Sequence, residues 1–303
     1  MRGRKKSSLL VIILFILFFL SVFSLSLSYS LRLKIDLFKR YLQRFNSLYI
    51  TRGIINFVIA KLEKISQQKD YDFLEEEDFL KFKGKKILNF YDFKKEPIKN
   101  YQIYVFDEEA RLNINTVSLE TLKRLLKHFP RWSSQKLADK ILGYRESKKN
   151  KLLYSLKELL FIPELKKDYF YGEDLNESTS LEEDEDLNQN GKLDLGIKDF
   201  LTIYGEGKVN INNAGLEVLE SIEGLSLDKA KEIVEKRPFK SLEEVKEKLS
   251  LSDEEFQRLN PKIKVESNYF RVVVIFEDRE GSFRVNRAIV KRDSSQVIYF
   301  QPF

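Results

Sequence analysis

The sequence predicts an α+β fold: a long N-terminal helix packed on an antiparallel sheet, with an all-α domain inserted into that sheet. Three observations predict it. An almost wholly apolar run extends from Leu9 to about Leu27. An internal repeat begins at Arg111 and returns at Lys208. The strand-like segments fall into two groups, one before the repeat and one after it.

The apolar run, Leu9-Leu-Val-Ile-Ile-Leu-Phe-Ile-Leu-Phe-Phe-Leu, has about the 20 residues that a helix needs to span a bilayer core. Arg2, Arg4, Lys5 and Lys6 precede it, so the positive-inside rule keeps the first residues cytoplasmic and places the rest of the chain outside. A cleaved secretory signal is the competing reading. It requires a small-x-small site and a break, whereas here Leu31, Ile35, Phe38, Leu42, Phe45, Tyr49, Phe57, Ile59 and Leu62 return at helical spacing as far as about Ser66. Residues 8–66 therefore read as one helix, and Gly53 within it costs about 1 kcal/mol relative to Ala and marks a candidate bend.

Beyond an acidic stretch at Asp70–Asp78, Lys86–Phe93 and Ile98–Phe106 read as strands, with Tyr101, Ile103 and Val105 alternating against their neighbours. Tyr269–Phe276 and Ser282–Lys291, joined by a turn at Asp278–Gly281, read as a hairpin, and Val297–Phe300 as a last strand. A lone hairpin is marginal in water, so early and late strands are expected to share one sheet. The resulting boundaries are 1–28 for the basic leader and membrane helix, and 29–111 for the amphipathic helix and first strands. The helical insert is 112–262 and the closing strands 263–303.

Within the insert, Arg111-Leu-Asn-Ile-Asn-Thr-Val-Ser-Leu-Glu-Thr-Leu matches Lys208-Val-Asn-Ile-Asn-Asn-Ala-Gly-Leu-Glu-Val-Leu. Each copy continues into a second helical segment, to Arg145 and to Arg237, and then to a capping box, Ser155–Glu158 and Ser241–Glu244. Asn115/Thr116 and Asn212/Asn213 are suited to be N-caps. The natural reading is two helix-hairpin-helix (SAM-like) repeats, 112–165 and 208–258. Such units often bind DNA through a Gly-hydrophobic-Gly turn whose amides meet phosphates. Here Glu223-Gly-Leu-Ser226 keeps one glycine and His128-Phe-Pro-Arg-Trp132 none, and Glu217, Glu220 and Glu223 would repel phosphate. Nucleic acid is disfavoured as a partner, and Trp132 reads as a packing anchor.

Between the repeats, in an acidic loop spanning 173–199, stands Asp186-Leu-Asn-Gln-Asn-Gly-Lys-Leu-Asp194. Oxygen side chains at Asp186, Asn188, Asn190 and Asp194, a glycine at Gly191 and a free carbonyl at Lys192 match the order that wraps a chain around Ca²⁺. Position twelve of the pattern is Ile197, so a closing carboxylate has to come from Asp199, Asp184, Glu182 or elsewhere. Two neutral ligands and an open shell suit weak affinity in a calcium-rich extracytoplasmic space.

The chain has Lys+Arg 53 against Asp+Glu 47, a formal net charge of +6, and Cys 0, His 1. A disulfide, thiolate nucleophile, Cys-based zinc site or histidine cluster cannot be built from it. A Ser-His-Asp triad would rest on His128 alone, in a basic helical stretch without a nucleophile motif. The chain reads as a non-enzyme.

The order of parts resembles the K-type minor pseudopilin (GspK) family of the type II secretion system. The local matches are Asp107-Glu-Glu-Ala-Arg-Leu-Asn-Ile-Asn-Thr116, Lys208–Asn212 and Ser267-Asn-Tyr-Phe-Arg-Val272. The resemblance covers essentially the whole chain. It implies a pilin-like sheet, an inner-membrane anchor, a periplasmic head that holds calcium in its helical domain, and a structural role at the pseudopilus tip beside the I- and J-type minor pseudopilins. The processing signal departs from the family: Ser7 or Ser8 stands where prepilin peptidase would meet a Gly, and no acidic residue occurs before Asp36. A membrane-anchored, competence-type DNA-binding protein is the alternative that the repeats suggest.

Overall fold

The structure, a computed structural model, describes residues 4–68, 101–129, 134–175, 185–186, 189–277 and 283–302. The chain divides into two compact units, residues 1–50 and 51–303. Helix α1, Arg4–Gln68, runs unbroken through Gly53 and contributes to both. Its 65 residues correspond to about 100 Å. In the first unit every side chain from Leu9 to Phe45 is exposed, and this is a helix long and apolar enough to cross a membrane. In the second unit Ile54, Ile55, Val58, Ile59 and Leu62, spaced as one helical face, are buried.

The same unit holds a four-stranded antiparallel sheet. Its strands are β1 (Tyr101–Asp107), β6 (Tyr269–Glu277), β7 (Phe283–Lys291) and β8 (Gln296–Gln301). Their order across the sheet is β1-β6-β7-β8. Ser295, just before β8, donates to Glu63 of α1. Alternation assigns the two faces. Ile103, Val105, Val272, Val274, Ala288 and Val290 share one, all buried. The other carries the cluster Val273, Ile275 and Val285 with Tyr104 and Phe106 against it. The expected strand at Lys86–Phe93, the acidic stretch Asp70–Asp78 and the turn at Asp278–Gly281 lie outside the described residues.

Everything between β1 and β6 belongs to the insert. Its helices are α2 (Leu119–Leu126), α3 (Ser134–Ser147), α4 (Lys167–Tyr171), α5 (Leu216–Ser221), α6 (Leu227–Lys236), α7 (Leu242–Lys248) and α8 (Asp253–Leu259). One apolar core runs from Ala110 to Val265 through both repeats. Two short parallel pairs tie the lead-ins of the repeats: β2 (Leu112–Asn113) to β3 (Leu201–Thr202), and β4 (Val209–Asn210) to β5 (Ile263–Lys264). Residues 263–264 thus pair inside the insert, and the large sheet resumes at Tyr269.

The capping box at Ser155–Glu158 forms as expected, on a 3-10 turn. Ser241 caps the amide of Glu244, whose carboxylate in turn reaches Lys240. The assignment of Asn115/Thr116 and Asn212/Asn213 as N-caps is corrected. The N-cap of α2 is Ser118, which accepts from the Thr121 N–H, and that of α5 is Gly215. The asparagines are used over longer range. Asn115 accepts the Leu153 N–H at 2.8 Å and donates to the Leu153 carbonyl at 3.0 Å. Asn212 does the same with Phe239, at 2.8 Å in both directions. Each side-chain amide imitates a strand partner for one backbone residue just ahead of a capping box, which satisfies a donor and an acceptor that burial would otherwise orphan. The arginines in the last turn of α3 and just past α6 repeat as well: Arg145 donates to the Ile114 and Val117 carbonyls, and Arg237 to that of Ala214.

Candidate functional site

Three places in the second unit bear on function: the acidic loop, the hairpin of the second repeat, and the junction where the insert leaves and rejoins the sheet. In the loop, the Asp186 carboxylate accepts the N–H groups of Asn190 and Gly191, both at 3.0 Å, and the Asn190 side-chain oxygen accepts that of Lys192 at 2.7 Å. Gln189 at φ +59° and Gly191 at φ +68° supply the left-handed turns that curl the chain. The Asp186 carboxylate thus binds two amides of its own loop. Asn188 lies outside the described residues, as do Glu182 and Asp184. Lys192 and Asp194 are exposed. Asp199 is occupied nearby, accepting the Gly196 N–H at 3.1 Å. Among the described residues no three Asp, Glu or His side chains converge as a metal-ligand set.

The loop is held at its base. Glu173 pairs with Asp194 through both its backbone N–H, at 2.9 Å, and its carboxylate, at 3.1 Å. Glu185 accepts the Leu175 N–H, and Gly172 bridges to Leu195. Glu173, Asp174 and Glu185 are all buried, with Lys198 the buried cation beside them, 3.0 Å from Asp174. Burying carboxylates at this density costs free energy unless cations or several donors offset it.

At the second hairpin, a cation of α2 and the acid of the turn are engaged inside the protein. Arg124 of α2 donates to the Ile222 and Leu225 carbonyls at 3.0 and 2.6 Å. Glu223 accepts from Ser118, Thr121 and Lys262, and the hydrogen bond from Ser118 foremost, with the charge of Lys262, holds its carboxyl below the usual range. Ser226, in place of a second glycine, spends its hydroxyl on the Lys229 N–H of α6. His128, just past α2, lies 3.3 Å from Glu220. Trp132 lies outside the described residues.

The junction was legible only as a string of letters, Asp107-Glu-Glu. All three carboxylates are buried. Asp107 accepts from the Asn210, Asn213 and Ser267 side chains at 2.9, 2.7 and 2.8 Å, and from the Glu109 N–H at 2.9 Å. Glu108 accepts from Thr202 at 2.6 Å and faces Arg111 and Arg271 at 3.6 and 3.3 Å. Glu109 pairs with Lys264 and accepts the Asn268 N–H. One short segment thereby fastens the sheet to both repeats. The signal that could have found it is the run of three acids between a strand and a repeat whose lead-ins, Arg111-Leu-Asn-Ile-Asn115 and Lys208-Val-Asn-Ile-Asn212, carry only amides and cations as polar side chains.

The fold thus combines a long N-terminal helix with an exposed apolar stretch, an antiparallel sheet, and a helical insert between β1 and β6. A family model, the helix-hairpin-helix motif, matches residues 205–264. No curated protein sequence matches the chain. Among solved structures the chain is similar to one in the GspK-GspI-GspJ complex of the type 2 secretion system of enterotoxigenic Escherichia coli. That match has 12% identity and a TM-score of 0.50, over 88% of this chain and 97% of that one. The fold is GspK-like.

Proposed function

We propose that this protein is a structural, non-enzymatic minor pseudopilin of a type II secretion system. In this reading α1 sits in the inner membrane with its basic start in the cytoplasm, and the second unit lies in the periplasm. After assembly it stands at the pseudopilus tip with I- and J-type partners. The observation that carries the proposal is the exposed apolar length Leu9–Leu27, on a helix that continues into a unit of GspK-like fold. Such a surface is stable only in lipid or in the core of a helical filament. Full-length protein is expected to co-purify with candidate I- and J-type pseudopilins from the same cells, and its deletion to abolish secretion. Normal secretion in the deletion strain, with no co-purification, would sink the proposal.

A competence-type DNA-binding role is favoured by the motif match at 205–264 alone. The commitment of Arg124 to the Ile222 and Leu225 carbonyls, and the acidic Glu223 in the turn, oppose it. A gel shift with a steep salt slope would favour the DNA reading instead.

We infer further that the Asp186–Asp194 loop binds Ca²⁺, using Asp186, Asn188, Asn190, the Lys192 carbonyl and Asp194, with a closing carboxylate from Asp199 or the neighbouring acids. The bound ion would offset the buried Glu173, Asp174 and Glu185. Excess Ca²⁺ at about 100 times Kd is expected to add about 2.7 kcal/mol to stability. Thermal melting with Ca²⁺ and with EDTA measures it, and Asp186→Ala should abolish the difference. Identical transitions in both buffers would remove the inference.

A further inference from the structure

Past the apolar run Leu9–Leu27, and still within the first unit, α1 carries Arg32, Lys34, Lys39, Arg40 and Arg44 against the carboxylate of Asp36. All six side chains are exposed. Arg32, Lys39 and Arg40 stand four, three and four residues from Asp36 and so share its flank of the helix, where Lys39 lies 3.9 Å from Asp36. Lys34 lies nearly opposite Arg32 around the axis. Leu31, Ile35, Phe38 and Leu42 follow one another along another flank and are exposed as well. A solvated helix is stabilised by pairing opposite charges three or four residues apart. Here one acid faces five cations, and the surplus is attracted to any anionic surface beside the helix.

Helix geometry sets the depth of each cation. Leu9–Leu27 fills a hydrocarbon core of about 30 Å, and the headgroup layer beyond it is about 5–8 Å thick. At 1.5 Å per residue, Arg32 and Lys34 stand about 8 and 10 Å past Leu27, Lys39 and Arg40 about 18–20 Å, and Arg44 about 26 Å. Helical side chains lean toward the N-terminus, which here is toward the bilayer, and long basic side chains bring their charge to the interface while their stems stay on apolar surface. Arg32 and Lys34 therefore reach the lipid phosphates on two sides of the helix. Lys39 and Arg40 act from somewhat more than one screening length, about 8 Å at physiological salt, and Arg44 from about two. Tyr29, 73% exposed, precedes them at the level where aromatic rings mark a membrane interface.

We propose that residues 29–40 of α1 form a basic collar that binds anionic phospholipid headgroups, such as phosphatidylglycerol, in the leaflet through which the helix leaves the membrane. The surplus of cations carries the anionic partner, and the continuity of the helix with its apolar length carries the lipid. Asp36 weakens the collar, because it neutralises part of Lys39 and repels the same phosphates. The proposal rests on the reading of α1 as a membrane anchor.

The test reconstitutes full-length protein in phosphatidylcholine bilayers with a trace of spin-labelled phosphatidylglycerol or spin-labelled phosphatidylcholine. The fraction of each label immobilised by the protein is read by electron paramagnetic resonance. Phosphatidylglycerol is expected to be preferred about five-fold at low salt, the gain from one well-placed cation, with the preference fading in 1 M salt. Arg32→Gln with Lys34→Gln should remove most of it and Arg44→Gln little, while Asp36→Asn should raise it. All four positions are exposed, so the variants leave the packing intact. Equal immobilisation of the two lipids would overturn the collar. So would a preference lost with Arg4→Gln, Lys5→Gln and Lys6→Gln but kept without Arg32 and Lys34, or one displaced by excess glycerol phosphate in solution. Immobilisation of neither lipid would overturn the anchor reading along with the collar, whereas equal immobilisation leaves the anchor standing.

Discussion

Asp107→Ala is expected to destabilise the protein by about 4 kcal/mol. The carboxylate accepts four hydrogen bonds, three from the buried or half-buried side chains of Asn210, Asn213 and Ser267. Alanine removes the acceptor and leaves those donors in a site too closed to re-pair fully with water. A hydrogen bond to a charged group contributes about 1.5–3 kcal/mol and a stranded donor costs about 1–3. Non-additivity within one network keeps the total well below their sum. In a chain of this size the thermal midpoint should fall by roughly 10 °C, measured by circular dichroism in detergent. Asp107→Asn, which keeps the shape and one acceptor oxygen, should fall between the two. A loss under about 1 kcal/mol for the alanine would mean that the donors find other partners and that the junction is not held here.

Gly196→Ala should cost about 3 kcal/mol by overpacking. A Cβ at Gly196 would lie 2.3 Å from the Phe170 carbonyl oxygen and 2.4 Å from the Gly172 nitrogen, and one at Gly172 would lie 2.2 Å from the Asp194 oxygen. All of these neighbours are backbone, so no side-chain rotation relieves them. The two glycines pinch the base of the acidic loop, and the same substitution should reduce any response of melting to Ca²⁺. Gly143→Ala is the internal control. A Cβ there meets nothing within 4 Å and Gly143 lies inside α3, so it should stabilise by up to about 1 kcal/mol. Equal effects at 143 and 196 would show that the close approach at the loop base carries no cost.

Much of the architecture was legible because it rests on local pattern. The apolar run at Leu9–Leu27, the alternation of Tyr101, Ile103 and Val105 and the Ser155–Glu158 box each encode their structure within a few residues. The duplicated Leu-Asn-Ile-Asn and Val-Asn-Ile-Asn was also readable as a repeat, but its use was not. Asparagine close ahead of a helix ordinarily suggests a cap. In the fold, Asn115 and Asn212 instead serve backbone groups 38 and 27 positions away. Such a partner leaves no trace in the neighbouring sequence. Glu223 was legible as a charge that would repel phosphate, while its bonds from Ser118 and Thr121 of the other repeat required the fold. The acidic loop was readable by spacing alone, while the burial of Glu173, Asp174 and Glu185 at its base required the fold.

The direct pairing of β1 with β6 has a consequence for the order in which the chain folds. Asp107 and Ser267 touch across 160 positions, so zipping the sheet means closing a very long loop. The entropic cost of closure rises with the logarithm of loop length, and slow, non-local pairing is its usual kinetic signature. The insert shortens that loop once it is folded. Its core forms from contacts within and between two adjacent repeats, and Asn210 and Asn213 then hold Asp107 beside Ser267. The strands on either side of the insert, β1 and β6, therefore meet as neighbours, and the interruption of the sheet becomes the device that brings its two halves into register.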